Sequence, residues 1–298
     1  MNERLSCRVA RPRQSLLRGV LHAVVLVGIA LGVAPARAAT PPAIGIATYN
    51  LRLNVASDGA NAWPQRRDAV RALIRFHEFD IVGTQEGRPD QIDDLAAMPG
   101  FAYVGVGRDD GRRAGEHSAI FYRSARFAVE AHGDFWLSET PDRPSMGWDA
   151  KCCNRIATWA KFRDRGTGRR FFVFNVHFDH EGVEARRQSA RLMLRKIREI
   201  GTGAPVICTG DFNSTPDSEQ VATMKSILRD ARDVSVEPAY GPVGTFNDFK
   251  LEAPVRERID YIFVDAHVDV LKYGVLDDSN DGRYPSDHWP VVARIIVR

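Results

Sequence analysis

Pro205-Val206-Ile207-Cys208-Thr209-Gly210-Asp211-Phe212-Asn213 is an apolar run that stops on an acid and an amide. Val, Ile, Cys and Thr in succession, bounded by Pro and Gly, read as a short buried strand, with Cys208 as a small core residue. Asp211 and Asn213 then stand where the chain leaves the sheet. Taken alone, Asp211 is equally well explained as a turn cap.

The same arrangement recurs along the chain. Asn50 follows Ile-Ala-Thr-Tyr, Gln85-Glu86 follows Ile-Val-Gly-Thr, His177 follows Phe-Asn-Val, and Asp287-His288 precedes Trp-Pro-Val-Val, while Asp260 interrupts Arg-Ile-Asp-Tyr-Ile-Phe-Val. Each has a local structural explanation, such as a left-handed turn for Asn50 or a satisfied buried acid for Asp260. Together they put acids, amides and imidazoles at the tips of separate apolar strands, which points to one shared polar site.

Eleven short runs rich in β-branched and aromatic residues, from Ile44–Asn50 to Val291–Val297, read as strands. Helical spacing is rarer: Val70, Leu73, Ile74 and His77 form one stripe, and Ala190, Met193, Leu194 and Ile197 another. The second helix carries Arg187, Arg191, Arg195 and Arg198 on its opposite face, read as a solvated surface. Many strands with few helices predict an α+β fold, two packed mixed sheets flanked by helices.

Residues 41–298 show no Pro/Ser-rich linker or charge block and are read as one domain. Residues 1–38 differ. Arg4, Arg8, Arg11, Arg13 and Arg18 precede an apolar run at 19–33 and then Ala36-Arg37-Ala38, the order of a secretory signal peptide cleaved near Ala38. That run is shorter than the ~20 residues a membrane span needs. An exported chain, periplasmic or extracellular, with no transmembrane segment after cleavage, is the expectation. The leader carries six Arg and one Glu, a net of +5, so the mature chain falls from +3 to −2. A strong grip on nucleic acid rests on clustered Lys and Arg, and net charge gives it no support. Cys152, Cys153 and Cys208 remain after cleavage; a vicinal Cys152–Cys153 disulfide is the less favoured state of the pair.

The ordered set Tyr-Asn-Leu-Arg, Thr-Gln-Glu, Asn-Val-His, Gly-Asp-Phe-Asn, Arg-Ile-Asp-Tyr-Ile and Ser-Asp-His resembles the endonuclease/exonuclease/phosphatase superfamily, which includes deoxyribonuclease I, abasic endonucleases, neutral sphingomyelinases and inositol polyphosphate phosphatases. The resemblance covers essentially the whole mature chain and implies a four-layer α/β/β/α sandwich of the deoxyribonuclease I kind. It also implies a metal-dependent phosphoesterase. Glu86 is then the carboxylate for Mg²⁺, with Mn²⁺ as the alternative, Asn50 lies beside it as oxygen or amide donor, and Asp287 contributes to the metal site. Asp211 becomes the general base for an attacking water, and Asn213 a donor to a phosphate oxygen. His288, partnered by Asp260, stabilises the phosphoryl transition state. His177 contacts phosphate or protonates the leaving oxygen.

One departure concerns Arg52, where the abasic-endonuclease branch carries an acid; it argues against repair-type DNA cleavage. Gly147-Trp148-Asp149-Ala150, Arg155-Ile-Ala-Thr-Trp-Ala and His177-Phe-Asp-His-Glu resemble a bacterial branch of metal-dependent hydrolases within the superfamily. Arg155 is either a bidentate donor to a substrate phosphate or a surface Arg. His180 and Asp179 either line the pocket or cap the next helix, and Phe246 either stacks on substrate or packs over the core.

The sequence also offers two rival readings. His177-x-Asp179-His180 superficially suits a binuclear zinc hydrolase, but Asn175 occupies the place of the expected preceding His. A catalytically inactive binding module would have lost the metal carboxylate, the base or the His, and all three are present. The expected substrates are a phosphorylated small molecule or sugar first, nucleic acid second and a lipid headgroup third, acted on by a monomer with no stable protein partner.

Overall fold

The computed structural model describes residues 42–251 and 254–298. The expected leader lies outside them. Among the described residues twelve strands form two six-stranded sheets. The first contains β1 (Ile44–Asn50), β2 (Ile81–Gln85), β3 (Phe101–Val104), β4 (Ile120–Arg123), β11 (Val268–Val275) and β12 (Val291–Val297), in the order β11-β12-β1-β2-β4-β3. The second contains β5 (Phe127–Trp136), β6 (Ile156–Asp164), β7 (Arg170–His177), β8 (Val206–Asp211), β9 (Arg229–Asp230) and β10 (Asp260–Val264), in the order β5-β6-β7-β8-β10-β9.

Each sheet has one parallel pair at its centre, β1 with β2 and β7 with β8, and an antiparallel strand beside it, β12 or β10. Strands buried on both faces read as continuous apolar runs, which is why Val206-Ile207-Cys208 shows no alternation. The inner faces pack against each other through Ile46, Ile81, Phe162, Val173, Ile207 and Ile295. Helices α1 (Trp63–Phe76) and α2 (Pro89–Ala96) cover the first sheet through Val70, Leu73, Ile74 and Leu95. Helices α3 (Val183–Ile200) and α4 (Glu219–Lys225) cover the second through Ala190, Met193, Ile197 and Met224. The layers run α/β/β/α, as expected. A short helix, α5 (Ala231–Val234), follows β9.

The arginine stripe of α3 is a solvated face: Arg187 Nε and Arg191 Nη2 both reach Glu219 of α4, at 2.9 and 3.0 Å. At one end of the sandwich the interior is polar. The Asn175 side chain donates to the Thr84 and Ala119 carbonyls at 2.8 and 3.0 Å, and accepts from Gln85 Nε2 at 2.7 Å and Thr209 Oγ1 at 3.0 Å. Only glycine suits position 83, since an added Cβ would lie 2.4 Å from Asn175 Oδ1. Asn175 thus bonds the two sheets together just beneath the strand ends, where no His ligand could stand. Adjacent Cys152 and Cys153 are disulfide-bonded, contrary to the favoured reading, while Cys208 is buried and free.

Candidate active site

Parallel pairing brings the carboxyl ends of β1 and β2 to one edge of the first sheet, with Asn50 opposite Gln85, and those of β7 and β8 to the same end of the second, with His177 opposite Asp211. Antiparallel pairing sets Asp260, the first residue of β10, opposite Asp211. Crevices beyond strand carboxyl ends are where open sheets bind ligands. A cleft of about 580 Å³ opens there, lined by Glu86, His177, Asp211, Asn213, Asp287 and His288 among others.

The backbone is strained where the side chains enter the cleft. Glu86, Asn213 and Arg52 have φ of 63°, 45° and 54°. A non-glycine residue in this left-handed region costs about 1–3 kcal/mol and persists only where surrounding bonds over-determine it. Here they do. Glu86 Oε2 accepts from the Leu53 amide at 2.9 Å, and the Asn213 amide donates to Asp211 Oδ1 at 2.9 Å.

Asn50 Nδ2 donates to Glu86 Oε1 at 3.1 Å and to Asp211 Oδ2 at 3.0 Å, while its Oδ1 accepts from the Arg52 amide. Of the two options for Asn50, amide donor and oxygen ligand, this arrangement uses the donor. Burial, reinforced by Asp260, pushes the Asp211 carboxyl up to about 7, against the pull of His288. Such a carboxylate is a better proton acceptor than an exposed one. His288 shows the opposite balance. Burial alone would hold it down, but Asp260 Oδ2, 2.9 Å from Nδ1, with Asp211 and Asp287 nearby, drives it well above the ordinary histidine value. His288 Nε2 lies 3.9 Å from Asp211 Oδ2, and the Phe246 ring packs 5.0 Å from the imidazole.

His177 goes the other way again. Burial first, then the Arg155 guanidinium 3.2 Å from Nε2, holds it neutral, well below its usual value. Asn213 Nδ2 lies 3.1 Å from the same nitrogen. Arg155 is buried and committed to the protein, since its Nη2 donates to His180 Nδ1 at 2.6 Å and its Nε to Asp179 Oδ2 at 3.3 Å. Asp179 also accepts from the Glu181 and Gly182 amides, so it caps the turn before α3 and braces Arg155. Those bonds take up both Asp179 oxygens and His180 Nδ1, and Cys152, whose sulfur is grouped with them, is held in the disulfide.

The donor set suits a hard cation. Glu86 is partly exposed to the cleft, and its charge helps burial raise Asp287, so two acidic groups face a common space that a divalent ion would neutralise. Asp211, Asp260 and His288 also offer closely grouped ligand atoms. His288 Nδ1 is taken up there by Asp260 Oδ2, which leaves Nε2 as the ring atom facing the cleft.

Sequence reading did not single out two features. Arg66 of α1 is buried and donates to four carbonyls: Leu51, Arg52 at 2.5 Å, Asn61 at 2.8 Å and Pro285 at 3.0 Å. It ties the segment after β1 to the segment before His288. Arg108 and Glu116, in the loop between β3 and β4, form a bidentate pair with both bonds at 2.7 Å and line the cleft. A polar residue within helix spacing was the one available signal for Arg66; the loop pair had none.

The family model described as "Endonuclease/Exonuclease/phosphatase family" matches residues 47–288. A crystal structure of a protein of that family from Bacteroides thetaiotaomicron is 42% identical with a TM-score of 0.84, covering 87% of this chain and 99% of its own. The mannosyl-6-phosphatase of the same organism is 43% identical, with a TM-score of 0.82 and coverage of 85% and 99%. The human Nocturnin catalytic domain, 21% identical over 86% of this chain and 95% of its own at a TM-score of 0.69, shares the fold. Two uncharacterized proteins of Acanthamoeba polyphaga mimivirus are 30% and 23% identical over 55% and 79% of this chain, which spans only 63% and 41% of their lengths. From the match across both sheets and every strand end that lines the cleft, this chain belongs to the endonuclease/exonuclease/phosphatase family.

Proposed function

We propose that the chain is a divalent-cation-dependent hydrolase of small phosphomonoesters, with phosphorylated sugars as the preferred class. The carrying observation is the charge of the cleft: seven carboxylates line it against three arginines. A single-stranded or duplex polyanion is held by surplus positive charge and stacked aromatics, and this lining repels one. A single phosphate needs only the centre, where a cation and His288 supply the positive charge. The 43% identical Bacteroides relative named mannosyl-6-phosphatase supports the same class.

In this reading Asp211 accepts a proton from the attacking water, which the Asn50 amide helps to orient through its bond to the same carboxylate. His288, kept protonated by Asp260, donates to the phosphoryl oxygens as charge builds on them. Asn213 donates to a further oxygen, and neutral His177 contacts the phosphate through a ring nitrogen. Glu86, with Asp287 beside it, would hold Mg²⁺ or Mn²⁺, which when bound neutralises phosphoryl charge and polarises the ester. In this reading residues 1–38 act as a leader that carries the enzyme to the periplasm or the exterior, where it works as a monomer.

The test is a metal and substrate panel. Purified protein is expected to release phosphate from hexose 6-phosphates and from p-nitrophenyl phosphate with Mg²⁺ or Mn²⁺, and to lose that activity in excess chelator. Faster cleavage of bis-p-nitrophenyl phosphate, plasmid DNA or RNA than of every monoester would overturn the assignment in favour of a diesterase.

A further inference from the structure

The loop between β3 and β4 is built around one pair of side chains. Within it Arg108 N donates to Glu116 O at 3.0 Å, Asp109 N to Ala114 O at 3.1 Å, and Gly107 N to Arg112 O at 3.0 Å. Asp110 Oδ1 accepts from the Arg112 and Ala114 amides at 2.8 and 2.9 Å. The loop is anchored to the catalytic turn, since His117 N donates to the carbonyl of Gly87, next to Glu86, at 2.8 Å. Its other flank is fixed by Trp136 Nε1, which donates to the Arg108 carbonyl at 2.7 Å. This scaffold holds the Arg108–Glu116 pair in the wall of the cleft, with side chains 11% and 14% exposed.

Taking an ion pair this far out of water is costly and stabilises a fold little. The pair braces no other element through its side chains among the described residues. A carboxylate has about four lone-pair positions, and Arg108 uses one on each oxygen. Glu116 lines the cleft, and its remaining acceptor capacity is not taken up by another side-chain bond among the described residues. Arg155, compensated by the buried Asp179 behind it at 3.3 Å, continues the same wall, and Cys153 of the vicinal disulfide completes the lining there. The wall is therefore rich in fixed donors and acceptors yet close to neutral. That composition suits adjacent hydroxyl groups on an uncharged ring, and it suits neither a second phosphate nor an apolar tail.

We infer that the Arg108–Glu116 pair is the leaving-group subsite of this enzyme, in which the Glu116 carboxylate accepts hydrogen bonds from neighbouring hydroxyls of a phosphorylated sugar. The inference rests on the phosphomonoesterase reading and makes it specific: selection among monoesters is set by the polyol and not by the phosphate. A site built to bond substrate hydroxyls discriminates sharply against analogues that lack them.

The experiment compares a hexose 6-phosphate with p-nitrophenyl phosphate, whose leaving group has no neighbouring hydroxyls, for the parent protein, Glu116→Gln and Arg108→Lys. The ratio of the two kcat/KM values is expected to fall by ~10- to 100-fold in Glu116→Gln, chiefly through KM for the sugar phosphate, as loss of charge-assisted hydrogen bonds implies. Arg113→Ala, in the same loop but on its exposed side against Asp93, controls for loop disturbance and should leave the ratio unchanged. A ratio within ~3-fold of the parent in both cleft variants overturns the subsite, as does an equal fall for both substrates alongside a lower Tm, which would make the pair a loop brace only. Binding of unphosphorylated hexose and of inorganic phosphate, followed by NMR, separates the two readings. Glu116-dependent hexose binding in a parent protein that hydrolyses neither monoester supports the subsite and overturns the phosphatase assignment. Hexose binding that Glu116→Gln leaves unchanged overturns the subsite whatever the activity.

Discussion

The two sheets present the same motif to the cleft, a central parallel pair with an antiparallel strand beside it, yet they surround it differently. On the first sheet, Glu86 sits at a strand end that is partly open to solvent. On the second, Asp211 is buried at the floor of the cleft, bonded to Asn50 and 3.9 Å from His288, and its carboxyl is pushed up to about 7, by burial before all else. An open carboxylate can exchange waters and take up a cation, whereas a buried one near neutrality can take and release a proton. In the proposed mechanism the chemistry is divided between the sheets by accessibility, although both residues are acids at strand ends.

The largest effect should come from exchanging those roles. Asp211→Asn is expected to lower kcat by ~10²- to 10⁴-fold, the range for loss of a general base, while the Kd for Mn²⁺ measured by calorimetry changes no more than a few-fold. Glu86→Gln should instead weaken Mn²⁺ binding at least ~10-fold, since even outer-sphere losses reach that size. Equal effects of the two substitutions on Mn²⁺ affinity would erase the proposed division.

A smaller effect tests the buried side alone. His288 is raised, so its cationic form is present at low pH and is lost as pH climbs through its folded value. Asp260→Asn removes the main group that raises it. The alkaline limb of the kcat–pH profile should therefore move to lower pH, with a fall of ~10- to 100-fold in kcat at pH 8 and less at pH 6. A uniform loss at every pH would mean that Asp260 only positions the ring.

Beneath the strand ends, Gly83→Ala would press a methyl group against Asn175 and Thr209. Overpacking of this kind costs about 1–3 kcal/mol, and a domain of this size loses roughly 2–4 °C in Tm per kcal/mol, which a thermal melt would read. The smallest expected change is at α3. Glu219→Ala removes exposed partners of Arg187 and Arg191, and should shift stability by less than ~1 kcal/mol with activity intact.

The sequence was most legible where one physical rule dominated. Strands buried on both faces announce themselves as apolar runs, and a polar residue at such a tip, as at Asp211 or Glu86, stands out against them. Helix α2 and the two-residue strand β9 are too short to show periodicity. The difference between Asp211 and Glu86 was illegible because burial depends on what other segments lay over each acid. The Arg108–Glu116 pair was hidden for a like reason: eight residues apart in a polar loop, the two meet only because backbone bonds fold that loop back. The vicinal disulfide is not legible in the sequence, because adjacency says little about whether the local backbone brings two sulfurs together.

The first strand of the domain, β1, pairs with the last, β12, and Arg66 gathers carbonyls from both ends of the chain, at Leu51 and Pro285. Contacts so distant along the sequence slow folding, because a long loop must close before they repay it. During synthesis β1 keeps an open edge for more than two hundred residues, a liability for sticking to other chains. On the proposed assignment the same ordering would keep the nascent protein inert, because Asp287 and His288 directly precede the final strand and would join the cleft only as it docks.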